Sequence, residues 1–227
     1  MSRLLLSAFL SALLTTAVAC SDDSGSTPDA SAQKDVGADA GSSKDRGLAD
    51  ISLPDSAPAD SGFVCDPPAK AGEFWALEAK DLETISMCRY RGQVILLVNI
   101  AAKCGYTPQL GTLATLHKTY EGQGFTVLGF YSNQFLQAGS PSEQQSCETS
   151  YGVTFPTFED VAVNPPNEHP VFTWLKSQAG GSGDIAWNFE KFLIGRDGAF
   201  IKRWKTGTNP DDADIVAEIG KALKATP

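Results

Sequence analysis

Histidine is scarce in this chain, with two residues in 227, and cysteine numbers only five. His117 and His169 stand apart and suit core or capping roles, and no Cys/His group has zinc-ligand spacing. Neither a metal nor a cofactor is therefore expected. Five cysteines are too few for a disulfide-dense scaffold, yet enough for one bridge plus redox chemistry. Excess positive charge is also missing. The 18 Lys and Arg against 27 Asp and Glu leave a net charge of −9, which argues against a sequence-independent nucleic-acid binder, since that needs a basic face. No repeat at solenoid or propeller period is present, and the single long apolar run lies at the extreme N-terminus. What remains, 42% hydrophobic and 20% charged residues, suits one globular domain with or without a tail.

Arg3, the apolar run Leu4 to Val18 and the small triplet Ala17-Val18-Ala19 read as a signal peptide over residues 1–19. The run is short for a membrane span. Cleavage after Ala19 with plain secretion is one outcome. The string Ala17-Val18-Ala19-Cys20 also resembles the lipobox of bacterial lipoproteins, with Ala17 where Leu is usual. That resemblance implies a lipidated Cys20 as mature N-terminus, held by several acyl chains because one chain binds a membrane only marginally. The expected location is then the cell envelope, on the periplasmic side or at the outer membrane. Residues 21–64 carry nine Asp against Lys34, Lys44 and Arg46, and no aromatic residue except Phe63. Such a stretch cannot bury enough apolar surface to offset its ordering entropy, so residues 20–64 are expected to form a lipidated, disordered acidic tether. Residues 65–227 make one domain with a good core.

Within that domain, Phe74 to Ala79 and Thr84 to Met87 read as two short strands joined by Asp81-Leu82-Glu83. Gln93 to Ile100 is nearly continuous apolar sequence, as in a strand buried on both faces. A helix follows, with Leu110, Leu113, Ala114 and His117 on one stripe and Pro108 near its first turn. Phe125 to Phe130 is the next buried strand. Ser140 to Tyr151 is expected to be helical with Ser142 as its cap, and a third helix opens at His169-Pro170. Phe192 to Gly195 and Ala199 to Ile201, with Asp197-Gly198 between them, read as a hairpin. Residues 210–224 form a last amphipathic helix. The order implies an α/β fold with a mixed sheet and helices on both faces.

Cys104 sits between a buried strand and a helix, where backbone N–H groups favour a thiolate and Lys103 adds positive charge. Position alone leaves open an inert buried cysteine. The segment Val98-Asn99-Ile100-Ala101-Ala102-Lys103-Cys104-Gly105-Tyr106-Thr107-Pro108-Gln109 closely resembles the active-site segment of glutathione peroxidases. Phe130 to Phe135, Tyr151 to Pro156 and Trp187 to Leu193 resemble three further family blocks, in family order, within residues 72–224. Four blocks are far more specific than one. The resemblance implies a thioredoxin-like fold with an extra N-terminal β-hairpin and a catalytic group of Cys104, Gln134, Trp187 and Asn188. Cys104 would attack the peroxide and become a sulfenic acid, while the amides and the indole N–H donate to the thiolate and the leaving oxygen.

Cys147 matches the resolving cysteine of the family's thioredoxin-dependent members, which implies a Cys104–Cys147 disulfide recycled by a thioredoxin-like protein or, failing that, a small thiol such as glutathione. Only part of a basic cluster, Lys202, Arg203 and Lys205, stands where glutathione users carry arginines. The short segment 176–186 lacks the insertion used for tetramer contacts, so a monomer is expected. Leu136 to Pro141 departs from the family's Gly-Gly-Gln-Glu-Pro, leaving substrate preference open between hydrogen peroxide and organic or lipid hydroperoxides. Cys104-Gly105-Tyr106-Thr107 lacks the second cysteine of a thioredoxin motif, and Leu97 and Ala101 exclude the peroxiredoxin pattern. A peroxide sensor passing oxidation to a partner protein is the alternative reading. Cys65 and Cys88 flank the hairpin as an even pair, which in an oxidising compartment suggests a structural disulfide, two unpaired thiols being the other possibility.

Overall fold

The computed structural model describes residues 20, 63–81 and 83–226. The expected signal peptide and most of the tether lie outside them. Among the described residues no helix is long and apolar enough to cross a membrane.

Five strands form the central sheet, in the spatial order Thr157–Phe158 (β5), Phe125–Tyr131 (β4), Val94–Ile100 (β3), Lys191–Ile194 (β6) and Phe200–Trp204 (β7). The central strand β3 (Val94–Ile100) is buried along its whole length, as its apolar sequence demands. It runs parallel to β4 (Phe125–Tyr131) and antiparallel to β6 (Lys191–Ile194). β5 (Thr157–Phe158) pairs parallel with β4, and β7 (Phe200–Trp204) closes the other edge antiparallel to β6. The pleat of β3 sends alternate residues to two cores. Leu96, Val98 and Ile100 pack with Leu110 and Leu113 of α1 (Gln109–Tyr120), Cys147 of α2 (Pro141–Tyr151) and Ile215 and Ile219 of α4 (Ala213–Lys224). Ile95 and Leu97 face Phe172 and Leu175 of α3 (Pro170–Ser177) and the N-terminal residues Trp75 and Met87. Each fully buried Leu, Ile or Phe contributes about 1.5–3 kcal/mol, so both layers are needed to hold the sheet edge that carries the site.

The N-terminal hairpin is shorter than its sequence suggests. β1 (Glu78–Lys80) pairs with β2 (Thr84–Ser86), while Phe74–Ala76 and Met87–Tyr90 are single 3-10 turns. Phe74 and Trp75 are consecutive and both buried, which a two-sided strand cannot arrange on one face. Trp75 Nε1 donates to Asp197 O at 3.2 Å, and its ring lies under Gly198, where a Cβ would fall 2.6 Å from the indole nitrogen. Gly198, at φ +81°, is thus required both for the Asp-Gly turn and for this contact. A Cys65–Cys88 disulfide, with Cα atoms 5.8 Å apart, ties the start of the domain to the end of the hairpin.

Two helix starts also differ from the sequence reading. α2 is capped by Ser140, not Ser142. The Ser140 hydroxyl accepts from Glu143 N, and Glu143 Oε2 accepts from Ser140 N at 2.7 Å, with Pro141 in the first turn. This reciprocal pair satisfies two end donors, which a cap two residues further in could not. α4 begins at Ala213 because the Asp212 carboxylate caps Asp214 N at 2.9 Å.

Candidate active site

β3 ends at Ile100 and the chain turns through residues 101–108 into α1. This turn holds Cys104, which is 3% exposed and the one free cysteine among the described residues. Tyr106 N donates to Cys104 Sγ at 3.4 Å. Cys104 N donates to Thr107 Oγ1 at 3.1 Å, and that hydroxyl donates to Ala101 O at 2.9 Å. The loop is thereby locked with a backbone donor on the sulfur. Lys103 was expected to add positive charge there. Its Nζ instead lies 2.7 Å from Glu143 Oε1, and Lys103 with Ser140 draws the Glu143 carboxyl down to about 2. The lysine charge is matched locally, and the backbone N–H is the donor that reaches the sulfur.

Hydrogen bonds connect this loop to one of the other expected catalytic residues, Asn188. Ala102 N and Lys103 N donate to Ala138 O and Gln137 O at 3.0 and 2.9 Å. Gln137 Oε1 in turn accepts from Asn188 Nδ2 at 3.0 Å. Asn188 is fully buried and its Oδ1 has no partner. Trp187 is 40% exposed and packs on Phe135 with ring centroids 5.2 Å apart. Gln134 is less free than its expected role implies. Its Oε1 accepts from Val163 N and Asn164 N, both at 2.7 Å, and its Nε2 donates to Asn164 O at 2.8 Å. One amide hydrogen remains to donate elsewhere.

Sequence reasoning assigned no role to the residue that pins the Trp187–Glu190 turn. Asn99, fully buried in β3, donates through Nδ2 to Trp187 O at 3.1 Å and accepts at Oδ1 from Glu190 N at 2.9 Å. Its backbone carbonyl accepts from Phe189 N at 2.6 Å. Phe189 sits at φ +65°, a left-handed conformation that costs a bulky residue free energy and needs such support. The nearly continuous apolar run of β3 was the available signal, because Asn99 is the one polar residue in a fully buried strand. From the far side, Thr206 Oγ1 donates to Asn188 O at 2.7 Å, while Thr206 O accepts from Gln109 Nε2 and Lys191 Nζ. Lys191 is wholly buried, and burial pushes its ammonium down to about 7.

The structure differs from the expectation at Cys147 and Cys20. Cys147 is buried, with its sulfur 3.5 Å from Ala102 O, two residues before Cys104. That sulfur is bonded to Cys20 and not to Cys104. A sulfur in a disulfide can neither attack a sulfenic acid nor, at Cys20, carry a lipid thioether. The Cys147 resolving role and Cys20 lipidation thus belong to a chain in which this bond is absent.

Lys202, Arg203 and Lys205 are all engaged. Arg203 Nε donates to Glu190 Oε2 at 2.7 Å. Its Nη1 donates to the carbonyls of Gly181, Ser182 and Gly183 and its Nη2 to that of Asp184, all within 2.9 Å. Its guanidinium also lies 5.0 Å over the Phe192 ring. Lys202 pairs with Asp214, and Lys205 with the fully buried Glu190. The expected remnant of a glutathione-holding cluster is therefore structural, with Arg203 clamping the segment that leads into Trp187. Tyr106, Leu136 and Trp187 are exposed apolar side chains on the segments around Cys104, and Leu136 takes φ +58° in the loop that departs from the family pattern.

Residues 73–176 match the family model described as glutathione peroxidase. A protein named glutathione peroxidase from Lactococcus lactis subsp. cremoris is 46% identical over 146 residues, 62% of this chain and 92% of that one. Hydroperoxy fatty acid reductase gpx1 of Synechocystis is 43% identical over 160 residues, covering 66% and 94%. Thioredoxin/glutathione peroxidase BtuE of Escherichia coli is 36% identical, covering 63% and 92%. Among solved structures, Trgpx in its apo form superposes with TM-score 0.56 at 34% identity, over 68% of this chain and 97% of that one. A thiol:disulfide interchange protein of the thioredoxin family from Chlorobium tepidum superposes with TM-score 0.51 at 16% identity, over 68% and 99%. The fold is thioredoxin-like, with a mixed sheet between two helical layers.

Proposed function

The chain belongs to the glutathione peroxidase family and is a thiol peroxidase, and we propose that its cycle starts at Cys104 and is resolved by Cys147. The Cys104 thiolate attacks one oxygen of a hydroperoxide. The O–O bond breaks, the leaving alkoxide or hydroxide takes a proton, and Cys104 becomes a sulfenic acid. The Cys147 thiol then attacks that sulfur, a Cys104–Cys147 disulfide forms and water leaves. A dithiol donor reduces the disulfide and is itself oxidised. The observation that carries this reading is the buried free Cys104 with a backbone N–H on its sulfur. The hydrogen-bonded connection from its loop through Gln137 to Asn188 supports it further. Gln134, Trp187 and Asn188 supply donors to the charge that develops on the leaving oxygen.

The donor is thioredoxin-like rather than glutathione. The engagement of Lys202, Arg203 and Lys205 with protein groups supports this, as does the name of the Escherichia coli relative. Hydroperoxides with an apolar chain are favoured substrates, supported by the exposed Tyr106, Leu136 and Trp187 and by the Synechocystis relative's name. The protein acts as a monomer in the cell envelope, anchored by lipid on Cys20, as its lipobox-like string supports. In the lipid-bearing chain Cys20 has no thiol, and Cys147 is free for Cys104. Turnover of peroxide with a thioredoxin system tests the scheme. Cys104→Ser abolishes turnover. Cys147→Ser stops thioredoxin-linked turnover yet still yields one sulfenic acid per chain. Retained activity in the first, or unchanged thioredoxin-linked turnover in the second, rejects the corresponding assignment.

A further inference from the structure

We propose that Asn164 is a positioning residue for the peroxidase reaction, acting through Gln134. The inference rests on the reading of Gln134 as a donor in that reaction. Asn164 lies between β5 and α3, outside every segment to which the sequence assigned chemistry. It makes five hydrogen bonds of two kinds. Its backbone N and O bracket the Gln134 amide, at 2.7 Å to Oε1 and 2.8 Å from Nε2. Its side chain closes a reciprocal pair with the backbone of Ile185, Nδ2 donating to Ile185 O at 2.9 Å and Oδ1 accepting from Ile185 N at 2.8 Å. Lys176 Nζ donates to the same Oδ1 at 3.2 Å.

The first set fixes what Gln134 can offer. Two backbone N–H groups, from Val163 and Asn164, converge on Oε1, so the swapped amide would set its NH2 against two donors. The oxygen is consumed, one Nε2 hydrogen goes to Asn164 O, and the remaining hydrogen is all that Gln134 can present. Gln134 is thus a pure donor, the polarity required by a thiolate and by an oxygen gaining negative charge. The second set fixes where that donor stands. Backbone 163–164 has no strand partner of its own, since β5 ends at Phe158 and α3 begins at Pro170. Val163 is held by its own buried side chain, and the side-chain pair with Ile185, itself 2% exposed, moors Asn164 to the core. Cutting that mooring leaves the backbone contacts to Gln134 chemically possible but no longer held in place, and small misplacements of a reacting group cost large factors in rate.

A double-mutant cycle on the full chain separates this role from a general loss of fold. The readout is the second-order rate constant for oxidation of Cys104 by hydrogen peroxide in a single turnover. Asn164→Ala lowers it about tenfold, and in the Gln134→Ala background the same change costs less than about threefold. A cost below threefold in the otherwise native chain overturns the proposal. So does a cost of threefold or more in both backgrounds, because a merely structural defect multiplies with loss of Gln134. If Asn164→Ala does not fold, Asn164→Asp is judged by the same criterion. It keeps the acceptor for Ile185 N and Lys176 and loses the donation to Ile185 O. An unchanged rate in Gln134→Ala alone rejects the underlying assignment of Gln134, and the proposal with it. A slow Gln134→Ala with multiplicative Asn164→Ala rejects only the positioning role.

Discussion

Arg203→Met tests whether the basic remnant after β6 serves the fold or a ligand. The native guanidinium is almost wholly buried, 4% exposed, and stands beside a fully buried Glu190. It donates to that carboxylate and to four backbone carbonyls between Gly181 and Asp184. Methionine fills much of the volume and supplies none of these donors. Glu190 is left with Lys205 Nζ, at 3.2 Å, and with Ala186 N. Breaking a buried ion pair from one side costs about 3–5 kcal/mol. At a urea slope of about 1–3 kcal/mol per molar for a domain of this size, the unfolding midpoint falls by roughly 1–5 M. Turnover should fall with every reductant alike, because the clamped segment leads directly into Trp187 and Asn188. Urea unfolding followed by tryptophan fluorescence, together with turnover on a thioredoxin system and on glutathione, reads both effects. An unshifted midpoint with selective loss of glutathione turnover would refute the reasoning, since the guanidinium would then be available to a ligand.

Lys191 gives a pH signature. Its pKa lies near 7 in the fold because burial opposes the charge, against about 10.4 when unfolded. Between those values the unfolded chain binds the extra proton, so this residue makes stability rise with pH, by at most about 1.4 kcal/mol per unit. Lys191→Met should remove that rise from denaturation curves collected between pH 7 and 10, and an unchanged slope would exclude the buried lysine as its source. Cys65→Ser opens the bridge to Cys88, whose loop spans 23 positions. The expected loss is about 3 kcal/mol, or about 6–12 °C in melting temperature, with peroxide turnover intact well below the transition. A melting temperature indifferent to both this change and reductant would show that the bridge contributes nothing.

The residues that were legible in sequence are those whose role follows from local pattern. The nearly continuous apolar run of β3 announced a strand buried on both faces, and the residues after it announced the strand-to-helix turn in which Cys104 sits. Ser140 was obscured because Ser140 and Ser142 both offer a hydroxyl near Pro141. Only the reciprocal bond from Glu143 selects between them. Phe74 and Trp75 looked like strand because aromatics favour strands, whereas burial of two neighbours on one side requires a tighter turn. The partners of Asn99, Asn164 and Arg203 were beyond reach for another reason. They lie 12 to 91 residues away in sequence, and no periodicity encodes such contacts. The Cys20–Cys147 bond is separated by 127 residues and is equally invisible to local reading.

The most direct measurement of the central claim is a cysteine map of the reduced protein after one equivalent of hydrogen peroxide, by digestion and mass spectrometry with a thiol label. Oxidation should be confined to Cys104 at the earliest times and then appear as a Cys104–Cys147 disulfide. Cys104 left as a free thiol while Cys147 pairs with Cys20, or oxidation spread evenly over the cysteines, would contradict Cys104 as the peroxidatic nucleophile.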